Sequence, residues 1–230
     1  MVHKSPPRRS HPETRLRAAA PGTRGRPRAY DRETALRRAA ETFRQAGFAA
    51  TSLDDLSAAT GMNRPSLYAA FGDKRALYGE ILARYRLDLR GRLEAALAAE
   101  PACRSALAAA YRAALDVFCA GPRGCLVLAT AVTGAPGDAD LRGAVAADLA
   151  LWDGLFQQRL RIARDRGELA SRADPAALGR LAAAVLHSLA IRARAGATRV
   201  ELDRLAEAAA ALICDAGREA KPVALFGGTY

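Results

Sequence analysis

Residues 47–77 read GFAATSLDDLSAATGMNRPSLYAAFGDKRAL, and the placement of caps, glycines and apolar side chains in and just before this stretch decides the fold. Ahead of it, Asp31 is a good helix N-cap, and Leu36, Ala40 and Phe43 follow as a helical stripe that stops at Gly47. Thr51-Ser52-Leu53-Asp54-Asp55 opens a second, short helix, with a hydroxyl cap and carboxylates beside the positive end of the helix dipole. Leu53 and Leu56 turn inward, and Thr60-Gly61 ends it. Gly61 supplies a turn with positive φ, and Met62-Asn63-Arg64-Pro65 starts a third helix in which Asn63 or Arg64 precedes a proline at the first helical position. Leu67 and Phe71 then face the core. Two short helices joined by about four residues around a glycine make a helix-turn-helix, whose second helix enters the DNA major groove.

The residues left facing outward suit that role. Arg64, Pro65 and Ser66 lie at the N-terminal end of the third helix, where arginine can bond a guanine bidentately and serine can bond several bases. Tyr68, one turn on, is placed for a phosphate or a thymine methyl. Lys74, at the start of the next helix, is placed for a phosphate, and Thr51 or Ser52 offers a hydroxyl at a helix N-terminus to the backbone of the opposite strand. The plainer alternatives are Ser52 as a mere cap, Tyr68 as half-buried core and Lys74 as a solvated charge.

As a whole, the string resembles the DNA-binding domain of the TetR family of bacterial one-component transcriptional regulators. Phe43, Gly47-Phe48, the run Thr51-x-x-x-x-Leu56-x-x-x-x-Gly61, Leu67-Tyr68-x-x-Phe71 and Asp73-Lys74-x-x-Leu77 carry the resemblance. Gly72 departs from it, since a longer polar residue is usual there, and so does the long basic arm before Asp31. The resemblance implies a homodimer that pairs its last two helices into a four-helix bundle and reads a palindromic operator, with a ligand domain following the DNA-binding one. Half-sites of such an operator lie roughly 34 Å apart.

Downstream of Lys74 the chain reads as helix almost throughout. A helix over about 74–99 stops at Glu100-Pro101, and one over about 102–120 stops at Gly121-Pro122. A third begins near Gly124 and breaks at Gly134-Ala135-Pro136-Gly137, and a long one fills 138–166. Two more, over about 175–195 and 201–218, carry the stripes from which Leu178, Leu181, Val185, Leu189, Leu205 and Leu212 are expected at a dimer interface, with ordinary intramolecular packing as the rival reading. Tyr111, Phe118, Leu128, Trp152, Phe156 and His187 are candidates to line a small-molecule cavity, though each aromatic is more often plain core. Cys125 joins them. Just inside a helix start and beside Arg123, it is expected to have a lowered pKa, which opens a thiol-sensing alternative against the commoner one of a small buried side chain.

Upstream, Lys4 and seven arginines in residues 1–30 face Glu13 alone, whereas the whole chain carries +11 from 35 basic and 24 acidic residues. The excess belongs to the arm. Its prolines and lack of large apolar side chains exclude a core, and Gly25-Arg26-Pro27-Arg28 forms an extended strip suited to the minor groove of A·T-rich DNA. Arg26 and Arg28 are its expected contacts. A solvated leader or an Arg-rich transit peptide remains as an alternative for this segment, although its prolines oppose the amphipathic helix that a transit peptide needs.

Composition closes off other classes. Half the chain is hydrophobic, so wholesale disorder is excluded, and charged residues interrupt every apolar run, so no membrane span is expected. With no secretory leader evident, a reducing, cytoplasmic setting is expected, and the four cysteines read as thiols. No CxxC pair or His cluster suggests a metal, and no G-x-S-x-G, Walker A or HExxH suggests an enzyme or a cofactor. The expectation is an all-α regulator with four parts: a basic arm over 1–30, a helix-turn-helix domain over 31–76, a helical ligand-binding and dimerisation domain over 77–219, and a tail over 220–230. Its expected partners are double-stranded DNA, a second copy of itself and a small effector. An architectural DNA-coating protein and a helical thiol enzyme are the rival classes.

Overall fold

A computed structural model describes Met1 and residues 31–121, 124–133 and 139–219. Among these residues all regular structure is helical: α1 (Arg32–Ala46), α2 (Leu53–Thr60), α3 (Arg64–Phe71), α4 (Lys74–Ala99), α5 (Cys103–Phe118), α6 (Leu126–Thr133), α7 (Ala139–Asp165), α8 (Pro175–Arg194) and α9 (Arg199–Glu219). The expected arm contacts Arg26 and Arg28, the tail over 220–230 and Arg123 lie outside the described residues.

Local chemistry explains where the first helices begin and end. The Asp31 carboxylate accepts from the Glu33 amide at 3.1 Å, and the Ser52 hydroxyl and the Asp55 side chain cap one another's backbone in a reciprocal box around the start of α2. Asn63 is the cap of α3, accepting from the Ser66 amide at 2.9 Å, so Arg64 and Pro65 occupy its first two positions. Gly61 closes α2 in the left-handed region at φ 71°, and Gly72 ends α3 at φ 77°. That angle accounts for glycine at position 72: a longer side chain there would be strained. Phe43, Leu56, Leu67 and Phe71 from the three helices pack onto Leu77 and Tyr78 of α4, with the Phe43 and Tyr78 rings edge to face at 4.9 Å.

Helix α4 leads into the larger bundle. Its Arg86 donates from Nε to the buried Asp148 of α7 at 2.7 Å, holding a carboxyl whose pKa burial would otherwise push further upward. Helices α5, α7, α8 and α9 surround Leu107, Tyr111, Phe156, Leu160, Leu186 and Leu189, all fully buried. Small residues let α7 and α8 approach until a Cβ on Gly179 would lie 2.8 Å from the Gln157 amide nitrogen. Helix α8 is the one described helix long and apolar enough to cross a membrane by composition, but Gly179, Ala182, Leu186 and Leu189 bury one face of it within the bundle.

Two glycine substitutions separate packing from propensity. Gly91 lies exposed on α4 with open space around it, so Gly91→Ala should stabilise the protein by about 0.5–1 kcal/mol through helix propensity. Gly179→Ala gains the same propensity but meets backbone, and should instead lower the melting temperature, at a cost of about 1–3 kcal/mol for an overpacked contact. Thermal unfolding of the two proteins beside the parent measures both. A melting temperature raised by Gly179→Ala would disprove the close α7–α8 approach.

Candidate nucleic-acid interface

Helix α3 offers solvent a short face. Arg64, Pro65 and Ser66 in its first turn are exposed, and Tyr68, one turn from Arg64, is 49% exposed. Leu67 and Phe71 are buried behind them. The outward set is therefore an arginine fork, a hydroxyl and a phenol, all held on a helix anchored by its apolar side.

Arg64 has a partner in the protein itself. Its Nε and Nη2 donate to the two carboxylate oxygens of Asp54 on α2 at 2.9 and 2.6 Å. This hydrogen-bonded arginine holds the Asp54 carboxyl below the usual range. Both groups are exposed, so the pair is cheap to exchange for another acceptor, and its effect is to splay the guanidinium across the helix-turn-helix angle. The spacing of ten residues between Asp54 and Arg64 does not place them together unless the angle between α2 and α3 is known.

The other expected DNA contacts divide. Ser52 is exposed, and its hydroxyl is engaged in the capping box. Thr51 is buried, with its hydroxyl donating to the Gly47 carbonyl at 2.7 Å, so the structure gives that hydroxyl an interior role. Lys74 is half-buried. Its ammonium donates to the Phe48 and Thr51 carbonyls at 2.9 and 2.8 Å and lies 4.5 Å from the centre of the Phe48 ring. A solvated charge is therefore not what Lys74 is: it ties the start of α4 to the α1–α2 turn and so fixes the floor on which α2 and α3 stand.

The expected effector-lining residues are assembled in the bundle core. Tyr111, Phe118, Trp152 and Phe156 are buried, the Tyr111 and Phe156 rings are 5.7 Å apart, and the Tyr111 hydroxyl donates to the Ala182 carbonyl at 3.1 Å. Leu128 and His187 are half-buried, and burial lowers the His187 pKa against the opposing pull of Asp153. Cys125 is buried too. Burial pushes its thiol upward, which corrects the expected lowering by the helix start and removes the premise for an activated thiolate.

The expected dimer residues also separate. Leu181 is 50% and Leu212 69% exposed, while Leu178, Val185 and Leu205 are half-buried. Leu189 is fully buried inside the protomer, because it lies on the face of α8 shared with Leu186 and Ala193, so it belongs to the core and not to a surface. Ile191 and Val200, 60% and 59% exposed, are apolar surface residues that stripe-reading passed over.

Comparison with known proteins agrees with this geometry. Residues 35–81 match the family described as bacterial regulatory proteins, tetR family, and residues 101–209 match a tetracyclin repressor-like C-terminal domain. The HTH-type transcriptional repressor ComR of Escherichia coli (strain K12) is 34% identical over 187 residues, which is 80% of this chain and 89% of ComR. Among solved structures, a cysteine mutant of the TetR family regulator CifR, complexed with 26-bp double-strand operator DNA, is 36% identical with a TM-score of 0.74, covering 81% of this chain and 98% of that one. A TetR transcriptional regulator from Rhodococcus sp. RHA1 is 33% identical with a TM-score of 0.55, over 80% of this chain and 98% of its own. Matched at both its helix-turn-helix and its helical C-terminal part, the chain belongs to the TetR family of bacterial DNA-binding transcriptional regulators.

Proposed function

We propose that this regulator is a repressor that grips a palindromic operator as a homodimer and is released when a small effector binds its helical domain. The observation that carries the DNA-reading half is the outward face of α3, where Arg64, Ser66 and Tyr68 stand exposed on a helix whose other side is locked by Leu67 and Phe71. Arg64 is the proposed base reader, with Pro65 as its turn-former, and Ser66, Tyr68 and Ser52 are backbone or secondary base contacts. The operator complex of CifR supports the reading by likeness. Residues 31–76 would then be the reading unit, 77–219 the regulatory and pairing unit, and the arm carrying Arg26 and Arg28 an electrostatic auxiliary. Pairing rests on α8 and α9, which expose Leu181, Ile191 and Leu212, large apolar side chains that a monomer would leave in water. Two recognition helices then meet successive major grooves of one palindrome.

Replacing Arg64 by alanine should weaken binding to an operator selected from random-sequence DNA by about tenfold to a hundredfold and relax base preference at one position per half-site. Fluorescence anisotropy on matched and mismatched duplexes reads both effects, and equal loss on the two would reduce Arg64 to a phosphate contact.

Deleting residues 1–28 should lower affinity and flatten its dependence on salt, since fewer counterions are displaced. A plot of log affinity against log salt with unchanged slope would remove the arm from the complex.

Aspartate at Leu181 or Leu212 should leave a folded protomer that no longer pairs, because both side chains are exposed in the protomer and would bury an unpaired charge in the dimer. Light scattering decides this, with circular dichroism as the check on folding. Aspartate at Leu189, by contrast, should unfold the protomer.

A further inference from the structure

Where α1 crosses α4 and α6, the structure leaves a groove of about 270 Å³. Its floor is apolar, built from Leu36, Ala40, Ile81 and Leu126. Around it stand three guanidiniums, Arg37, Arg44 and Arg84, against the single carboxylate of Glu33. We propose that this groove is the binding site of a small amphipathic organic anion, a sulfonate or carboxylate on an apolar ring body, and that its occupant is the effector; the second half rests on the reading of the chain as an effector-released repressor.

Unmet hydrogen bonds argue for an occupant. The Nε of Arg44 is buried without an acceptor, although its Nη2 donates to the Val117 and Gly124 carbonyls at 3.1 and 3.4 Å. The buried Tyr85 hydroxyl lies against the Cys125 thiol and the Leu126 backbone, with neither in full hydrogen-bonding geometry. Both residues line the groove. A buried donor without an acceptor is costly, and an anion entering beside it restores the lost bond in a charge-assisted form. Arg37 makes no ion pair among the described residues and is available to the anion, whereas Arg84 is already shared between Glu33 and, at 3.2 Å, Glu80 and completes the positive rim. The excess of guanidiniums over carboxylates, with Arg37 unpaired, disfavours a cationic ligand, and the apolar floor disfavours an inorganic anion, which would have to shed its water there.

The groove also sits at the joint that must move. Helix α1 carries Phe43 into the core behind the reading helix, and its last turn is fastened to the larger bundle through Arg44 and through Arg194, which donates to the Arg44 carbonyl at 2.9 Å. An anion that draws on Arg44 and presses on Leu36 and Ala40 binds more tightly to a conformer in which α1 has shifted against α4 and α6. That differential affinity is what operator release requires.

The test uses the full-length protein and the amphipathic anion 1-anilinonaphthalene-8-sulfonate, whose fluorescence reports binding. One probe per protomer is expected. N-phenyl-1-naphthylamine, the same rings without the sulfonate, should bind at least about tenfold more weakly, as should the sulfonate to Arg37→Ala, an exposed position that does not threaten the fold. Ala40→Trp fills the groove and should abolish binding, with circular dichroism confirming its helix content. Adding the probe to saturation should lower the operator affinity of the parent about tenfold or more, measured by anisotropy with a labelled duplex, and should not change that of Ala40→Trp from its own probe-free value. Absence of probe binding, or binding that both substitutions leave unchanged, overturns the site. Binding that both substitutions weaken without any change in operator affinity overturns its role as effector site. A parent protein that selects no DNA sequence before the probe is added overturns the regulator reading itself, whatever the probe does.

Discussion

Arg44 is the polar residue that fastens the end of the first DNA-reading helix to the larger bundle. At the end of α1, its side chain donates to carbonyls at the end of α5 and ahead of α6, and its own carbonyl accepts from Arg194 at the end of α8. Three helix ends of the larger bundle thus converge on one residue of the smaller one. Such convergence is helped by Gly124, whose φ of 105° favours glycine and where an added Cβ would lie only 3.0 Å from the Arg194 Cβ. Charge-assisted bonds to backbone carbonyls in a half-buried joint are strong enough to transmit a shift, and few enough for a ligand to compete with them. A joint sealed by apolar packing alone would have had no polar handle for an effector to pull.

Within the reading unit, two basic residues behave oppositely, and burial is the cause. Lys74 gives its ammonium to two backbone carbonyls and an aromatic face, contacts that would leave carbonyls unsatisfied if the side chain left. Arg64 gives its fork to an exposed aspartate, a pair that water and salt already weaken. Lys74 is therefore structure, whereas the Arg64 fork lies at the surface in a weak pair. Under the proposed reading, a DNA acceptor takes over from Arg64 the two bonds that Asp54 now accepts. Guanine, with two acceptors in the same geometry as a carboxylate, can do so, whereas a single phosphate oxygen replaces them less completely.

Helix positions were legible in the sequence because their signals are local. Asp31, Ser52, Asn63, Asp73 and Asp174 are caps that need only their own next turn, and every one of them accepts from that turn in the structure. The family resemblance was carried by that same local grammar. What was not legible depends on angles between helices. Thr51 and Lys74 look outward in a linear reading and turn inward once α1, α2 and α4 are packed together. Leu189 and Leu181 lie on one apolar stripe of α8, yet a rotation of about 100° per residue separates a core position from a surface one. Cys125 takes the commoner of its two readings, a small buried side chain: a helix start favours the thiolate, but α4 covers it with Tyr85, and desolvation outweighs the dipole.

The same angular argument separates the two places where an effector can act. The aromatic residues of the bundle are spent on packing: Tyr111 has its hydroxyl bonded to Ala182 and its ring beside Phe156, so a ligand entering there must first break contacts that hold α5, α7 and α8 together. At the α1–α4–α6 groove the space already exists, two polar groups, the Arg44 Nε and the Tyr85 hydroxyl, are already desolvated, and α1 forms one wall. Opening a packed core costs its contacts before any binding is gained, while occupying a preformed polar-rimmed groove does not. An anion at the joint also acts one helix away from the reading helix, through α1 and the core it shares with α3, so little of its binding energy is lost to deforming the α7–α8 contact, which has no slack at Gly179.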